Sequence, residues 1–135
     1  MKAFLMDTNH VSHFLSGHRA LQDRVRVSQG QGSIFGISMT VLGELYYAVY
    51  ASQRPKENLM RLEAFLDAVL LWEFDRLAAE EFGKIQAEQK AKGKPIPPTD
   101  AQIAAVARTR RLIVLTNDAH FRFIDGLTVE SWLRS

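Results

Sequence analysis

The chain has no cysteine, so disulfides and thiolate metal sites are excluded, and any bound metal must be held by oxygen or imidazole. That absence is compatible with a cytoplasmic home, the compartment expected here. Long hydrophobic runs are also missing. Lys2 is followed only by Ala3–Met6 before Asp7 intervenes, far short of a signal segment or a membrane span, so no targeting or anchoring is expected. There is no Walker P-loop and no G-x-S-x-G elbow. Gly30 and Gly32 make no dinucleotide fingerprint, because they precede a strand and lack the third glycine and the following helix. Proline is scarce, with 4 in the chain, and Pro95, Pro97 and Pro98 crowd into one short stretch.

Composition is otherwise ordinary for a globular protein, with 47% hydrophobic and 24% charged residues. The 135 residues suit one domain with a real core, and a single domain over 1–135 is expected. Formal net charge is only +2. A metal held by four carboxylates would neutralise them and leave about +6 on the rest of the surface, a balance suited to a polyanion.

The chain is organised around its first ten residues. Ala3–Met6 reads as a buried strand that breaks into Asp7-Thr8-Asn9, with a helix resuming at Val11 and stopping at Gly17. Leu21, Val25 and Val27 predict a second short helix, and Ser33–Ser38 a second strand. Thr40 is the expected cap of a helix from Val41 to about Ser52, carrying Val41, Leu45, Ala48 and Val49 on one face. Leu59, Leu62, Leu66 and Val69 mark the next helix, Leu70–Phe74 a short strand, and Leu77 the start of another helix with Ala78, Phe82 and Ile85 inward. That helix ends in a basic loop, Lys90 to Lys94. The prolines then lead to Thr99-Asp100 and to a helix over Ala101–Arg110 that is apolar almost all round, hence buried. Leu112–Leu115 forms a strand that breaks into Thr116-Asn117-Asp118, mirroring the first. Leu127, Val129 and Trp132 close the chain as an edge strand and tail. Strands alternating with helices define an α/β fold with a mostly parallel sheet.

Four acids occupy equivalent places: Asp7 and Asp118 just past strand ends, Glu44 and Asp100 at helix beginnings. In a parallel sheet these positions share one edge, where ligand crevices lie. Each acid also has a plain role open to it. Asp7 or Asp118 could cap the following helix, and Asp100 could complement the helix dipole for roughly 0.3 to 1 kcal/mol. Glu44 is harder to explain that way, since Gly43 holds the capping-box place after Thr40 and Glu44 lies on or beside an apolar stripe. Converging carboxylates repel, and a hard divalent cation such as Mg²⁺ or Mn²⁺ resolves the repulsion. Such a centre suits phosphodiester hydrolysis.

Rival chemistries are thinner. His10 and His13 share a helix face and could bind zinc, but a third strong ligand is lacking. His18 and His120 read as surface or loop histidines, and Tyr46, Tyr47, Tyr50 and Trp72 as packing residues rather than base-stacking platforms.

Together these residues resemble the PIN-domain ribonucleases, specifically the VapC-like toxins of toxin-antitoxin pairs. The resemblance rests on M-D-T-N at Met6–Asn9, T-V-L-G-E-L at Thr40–Leu45, P-P-T-D-A-Q-I-A-A at Pro97–Ala105, T-N-D-A-H-F at Thr116–Phe121 and G-L-T-V-E-S-W at Gly126–Trp132. Order and spacing, not any one piece, make it specific. It implies a three-layer α/β/α sandwich and a metal held by Asp7, Glu44, Asp100 and Asp118. Thr8 and Thr116, with Asn9, would support that site. It also implies RNA as substrate, a homodimer and a small antitoxin that blocks the site. Relatives often carry Asn at the fourth acid position, and Asn117 adjoins Asp118; the T-x-D-x-x-F pattern selects Asp118. Lys90, Lys92 and Lys94 are the candidate RNA contacts. The alternatives are a catalytically weak PIN-fold binding module and another Mg²⁺-dependent phosphotransferase, the latter disfavoured because Asn9 stands where a D-x-D start needs Asp.

Overall fold

The computed structural model describes residues 1–133. Five strands form one sheet: β1 (Ala3–Met6), β2 (Ile34–Ser38), β3 (Leu70–Trp72), β4 (Ile113–Leu115) and β5 (Thr128–Glu130). Their spatial order is β3-β2-β1-β4-β5, and all four pairings are parallel. The expected mostly parallel sheet is therefore parallel throughout. Six α-helices cover it: α1 (Thr8–Leu15), α2 (Arg19–Gly30), α3 (Met39–Tyr50), α4 (Pro55–Leu66), α5 (Arg76–Ala91) and α6 (Pro98–Arg110). A short 3-10 helix, Ala119–Phe123, precedes β5. The result is the three-layer α/β/α sandwich.

β1 lies at the centre because it is apolar on both faces, as a strand covered by helices on each side must be. Leu5 is fully buried opposite Gly36 and Val114. Phe4 stacks on Phe35 at 5.0 Å and meets Trp132 at 4.9 Å, so the residues after β5 fold back onto the sheet. On the same face α1 and α4 touch through Phe14 and Phe65, 5.7 Å apart. α5 and α6 pack on each other, and Ala101 and Ile103–Ala107 are buried, as the all-round apolar pattern predicts. Arg108 ties the pair together, donating to Glu81 Oε2 at 2.5 Å and to both carboxylate oxygens of Glu88 at 2.9 and 3.1 Å. Gly36 lets Trp72 cross β2: a Cβ there would lie 2.6 Å from the Leu70 carbonyl oxygen and 2.6 Å from the Trp72 ring.

Several local expectations are corrected. Ser38, not Thr40, caps α3 by accepting from the Val41 N–H, because the last residue of β2 is also the cap and no loop separates strand from helix. Thr40 instead donates to Gln102 Oε1 at 3.0 Å, joining α3 to α6. Ala48 and Tyr47 face outward, so Tyr47 is not a packing residue, whereas Tyr50, though exposed, stacks on Tyr46 at 6.2 Å and Trp72 packs over Gly36. The basic stretch is not a free loop. Lys90 belongs to α5, and a turn at Gly93, with φ +69°, redirects the chain. Among the described residues no helix is long and apolar enough to cross a membrane.

Candidate metal centre

The carboxyl ends of β1, β2 and β4 open on one edge of the sheet, and the helices that follow start there. Asp7 leaves β1 with its N–H donating to the Leu115 carbonyl at 3.1 Å, which keeps it in register with β4. It caps α1 as well: Oδ1 accepts from the His10 N–H at 2.8 Å. Capping thus fixes the carboxylate without using Oδ2.

Glu44 lies in the second turn of α3, two residues deeper than the sequence suggests, because the helix starts at Met39 rather than Val41. Thr8 Oγ1 donates to Glu44 Oε1 at 2.5 Å, binding the start of α1 to α3. Asp100 is the third residue of α6, after Pro98, whose missing N–H costs nothing at a helix start. Asp118 caps the 3-10 helix, accepting from the His120 N–H at 2.9 Å, and its own N–H donates to the fully buried Thr116 Oγ1 at 3.0 Å.

Asp100 and Asp118 meet at His120. The imidazole Nδ1 lies 3.0 Å from Asp100 Oδ2 and 3.1 Å from Asp118 Oδ1. Burial holds the Asp100 carboxyl above the usual aspartate range, the bond to His120 opposes this, and the charges of Asp118 and Glu44 push it further up. His120, expected as a surface or loop histidine, is partly exposed and also bridges the two acids. Its part was hidden because Asp118 turns the chain into a 3-10 helix, which brings the side chain two residues later back over the cap. Asn117 goes elsewhere, accepting from the Ser131 hydroxyl. Asn9 is exposed on α1; its carbonyl accepts from His13 Nδ1 at 2.9 Å, and its side chain makes no hydrogen bond to the four acids among the described residues.

The zinc reading of His10 and His13 fails. Both ring nitrogens of the fully buried His10 are already engaged, Nδ1 with Asp7 Oδ1 at 3.1 Å and Nε2 with the Trp132 N–H at 3.2 Å. Two of the candidate RNA-contact lysines have neighbours in the fold, and one of them, Lys92, is held by polar partners. Lys92 Nζ donates to the Phe123 carbonyl at 3.0 Å and pairs with Asp125 at 3.0 Å, and Lys94 Nζ sits 4.4 Å from the centre of the Phe123 ring.

The donor set fits a hard divalent cation. Asp100, Asp118 and His120 each offer one ligand atom within 4.8 Å of the others, and the cluster holds no sulfur. An uncompensated group of carboxylates demands positive charge. The protein is thus a parallel α/β/α sandwich with an acidic cluster at the carboxyl edge of its sheet.

Comparison with known proteins places it further. The PIN domain family matches residues 4–127. The chain is 36% identical to the tRNA(fMet)-specific endonuclease VapC of Shigella flexneri, covering 98% of this chain and 99% of that protein. It is 34% identical to ribonuclease VapC2 of Haemophilus influenzae, covering 98% and 100%. A chain of the DNA-bound VapBC complex of Salmonella typhimurium superposes with a TM-score of 0.90 at 32% identity, covering 98% and 100%. The protein belongs to the PIN-domain family, among the VapC ribonucleases.

Proposed function

We propose that the protein is a metal-dependent endoribonuclease toxin whose centre is formed by Asp7, Glu44, Asp100 and Asp118, with Thr8 and Thr116 in support. The observation that carries the reading is the meeting of Asp100 and Asp118 at one imidazole, on the sheet edge where Thr8 also holds Glu44. Mg²⁺ or Mn²⁺ bound there would lower the pKa of an attacking water and neutralise charge on the scissile phosphate. The chain's own residues do the positioning. The α1 cap and His10 fix Asp7 through Oδ1, Thr8 fixes one oxygen of Glu44, and Thr116 sets the turn that presents Asp118. A binding module with no catalysis gives no reason to gather four acids at one edge.

The relatives' names extend the proposal. A tRNA is the first RNA to test, because the Shigella flexneri relative is a tRNA(fMet)-specific endonuclease. An antitoxin is the expected partner, since related chains occur in VapBC complexes; a basic side chain from it would pair with the acids and exclude the cation. The protein is expected to act as a homodimer in the cytoplasm.

The test is to incubate purified protein with total RNA, with Mg²⁺ or with EDTA, and to map the cut ends. Discrete cuts that need the cation and disappear in Asp7→Asn, Glu44→Gln and Asp100→Asn are expected. Equal cleavage by Asp7→Asn, with contaminating nuclease removed, overturns the assignment.

A further inference from the structure

We infer that His10 is a positioning residue for Asp7, locked into one tautomer by the backbone of Trp132, and that it presents Asp7 Oδ2 to the metal centre. The inference rests on the reading of Asp7 as a metal ligand.

His10 is fully buried, so each of its ring nitrogens must find a partner. The partner of Nε2 is the Trp132 N–H at 3.2 Å, which can only donate. Nε2 must therefore be the bare, accepting nitrogen, and in a neutral ring the proton then sits on Nδ1. Nδ1 faces Asp7 Oδ1 at 3.1 Å and donates to it. Oδ1 accepts a second hydrogen bond from the His10 N–H at 2.8 Å. With two donors from one residue, Oδ1 is held in place and Oδ2 is left for a cation.

What fixes the tautomer lies 122 residues away in sequence. Trp132 is itself held by Phe4, by Phe35, and by Arg24, whose guanidinium carbon lies 4.2 Å from the centre of its ring. Its indole N–H donates to Glu130 Oε1 at 3.0 Å. The segment after β5 thus reaches the centre through a single imidazole. A side chain that only filled this space could be valine or leucine, which bring no polar group to satisfy.

Two substitutions separate the bonds. In His10→Asn the side-chain amide falls near the Nδ1 position and keeps the donor to Asp7. In His10→Gln the amide reaches the Nε2 position, keeps an acceptor for Trp132 and loses the bond to Asp7. Mn²⁺ affinity is measured by electron paramagnetic resonance on the parent, both variants and Asp7→Asn. Removing a group that orients a metal ligand costs roughly 10- to 100-fold in affinity. His10→Gln should bind Mn²⁺ at least about tenfold more weakly, while His10→Asn stays within about threefold of the parent.

Independently of any metal, nitrogen-15 NMR of the parent should show His10 protonated at Nδ1 and bare at Nε2. An Nε2–H tautomer or a doubly protonated ring overturns the inference, as do equal losses in the two variants that follow melting temperature. Parent and Asp7→Asn binding Mn²⁺ alike would instead overturn Asp7 as a ligand, while the tautomer still decides how His10 is bonded.

Discussion

Thr8 and Glu44, 36 residues apart in sequence, are joined by a hydrogen bond of 2.5 Å from hydroxyl to carboxylate. One residue follows β1 and the other lies in α3, so the bond closes the crevice between two elements that share the carboxyl edge of the sheet. Bonds to an ionised acceptor are the strong ones, and this one orients Glu44 before any cation arrives. Thr8→Val keeps the shape and removes the donor. We expect melting temperature to change little and the Mg²⁺ concentration for half-maximal cleavage to rise roughly tenfold. Cleavage should recover at excess Mg²⁺. An unchanged metal requirement in a metal titration would show that Glu44 is oriented by other means.

Asp100 carries a cost that the fold bears. Its carboxyl is raised chiefly by burial, so between the ordinary aspartate pKa of about 3.9 and the raised folded value the folded state binds more protons than the unfolded one. Stability therefore falls as pH rises through that window and stays lower above it. In EDTA at neutral pH, Asp100→Asn should melt higher than the parent, and the difference should vanish at a pH below the unfolded value. Mn²⁺ should raise the parent's melting temperature and leave the variant nearly unmoved. Thermal melts across pH, with and without Mn²⁺, check both signs.

Much of this was legible because parallel sheets write strongly into sequence. β1 and β4 are short apolar runs that end in polar turns, and their equivalence alone puts Asp7 and Asp118 on one edge. α6 was legible for the same reason: a helix that is apolar all round can only be buried. What stayed hidden depends on contacts across the chain. The zinc reading of His10 gave way because Trp132, at the far end, takes its Nε2. Lys92 looked free because Asp125 and the Phe123 carbonyl come to it from the turn before β5. Ser38 hid as a cap inside a strand. Short-range pattern cannot see partners that only the fold brings together.

Gly36 tests the packing of the sheet itself. Its missing Cβ is the space that the Trp72 ring and the Leu70 carbonyl occupy, and the carbonyl is backbone that cannot swing aside. Gly36→Ala must push β3 away from β2, and overpacking of this kind costs about 1–3 kcal/mol. Urea unfolding should show that loss, and Gly36→Ala with Trp72→Leu should regain part of it by removing the ring. A single variant as stable as the parent would mean that β3 gives way at no cost.

The lysines before Asp100 do not act as one patch. Lys92 is engaged by Asp125 and the Phe123 carbonyl, and Lys94 lies over the Phe123 ring, whereas Lys90 is exposed in the last turn of α5. A lysine committed to a carboxylate contributes little to a phosphate contact unless that pair opens. Phosphate contacts position RNA without reading its sequence, and each releases counterions, giving a slope of roughly −0.7 in log affinity against log salt for single strands. If Lys90 and Lys94 hold RNA, Lys90→Gln with Lys94→Gln should flatten the salt slope by up to about 1.4, weaken binding most at low salt, and leave single-turnover cleavage at saturating RNA nearly unchanged. Lys92→Gln should instead lower melting temperature slightly and leave the slope alone. Binding isotherms at several salt concentrations separate the two. A slope that changes with Lys92→Gln, and not with the double variant, would show that the Asp125 pair opens to RNA and that Lys92 is the contact.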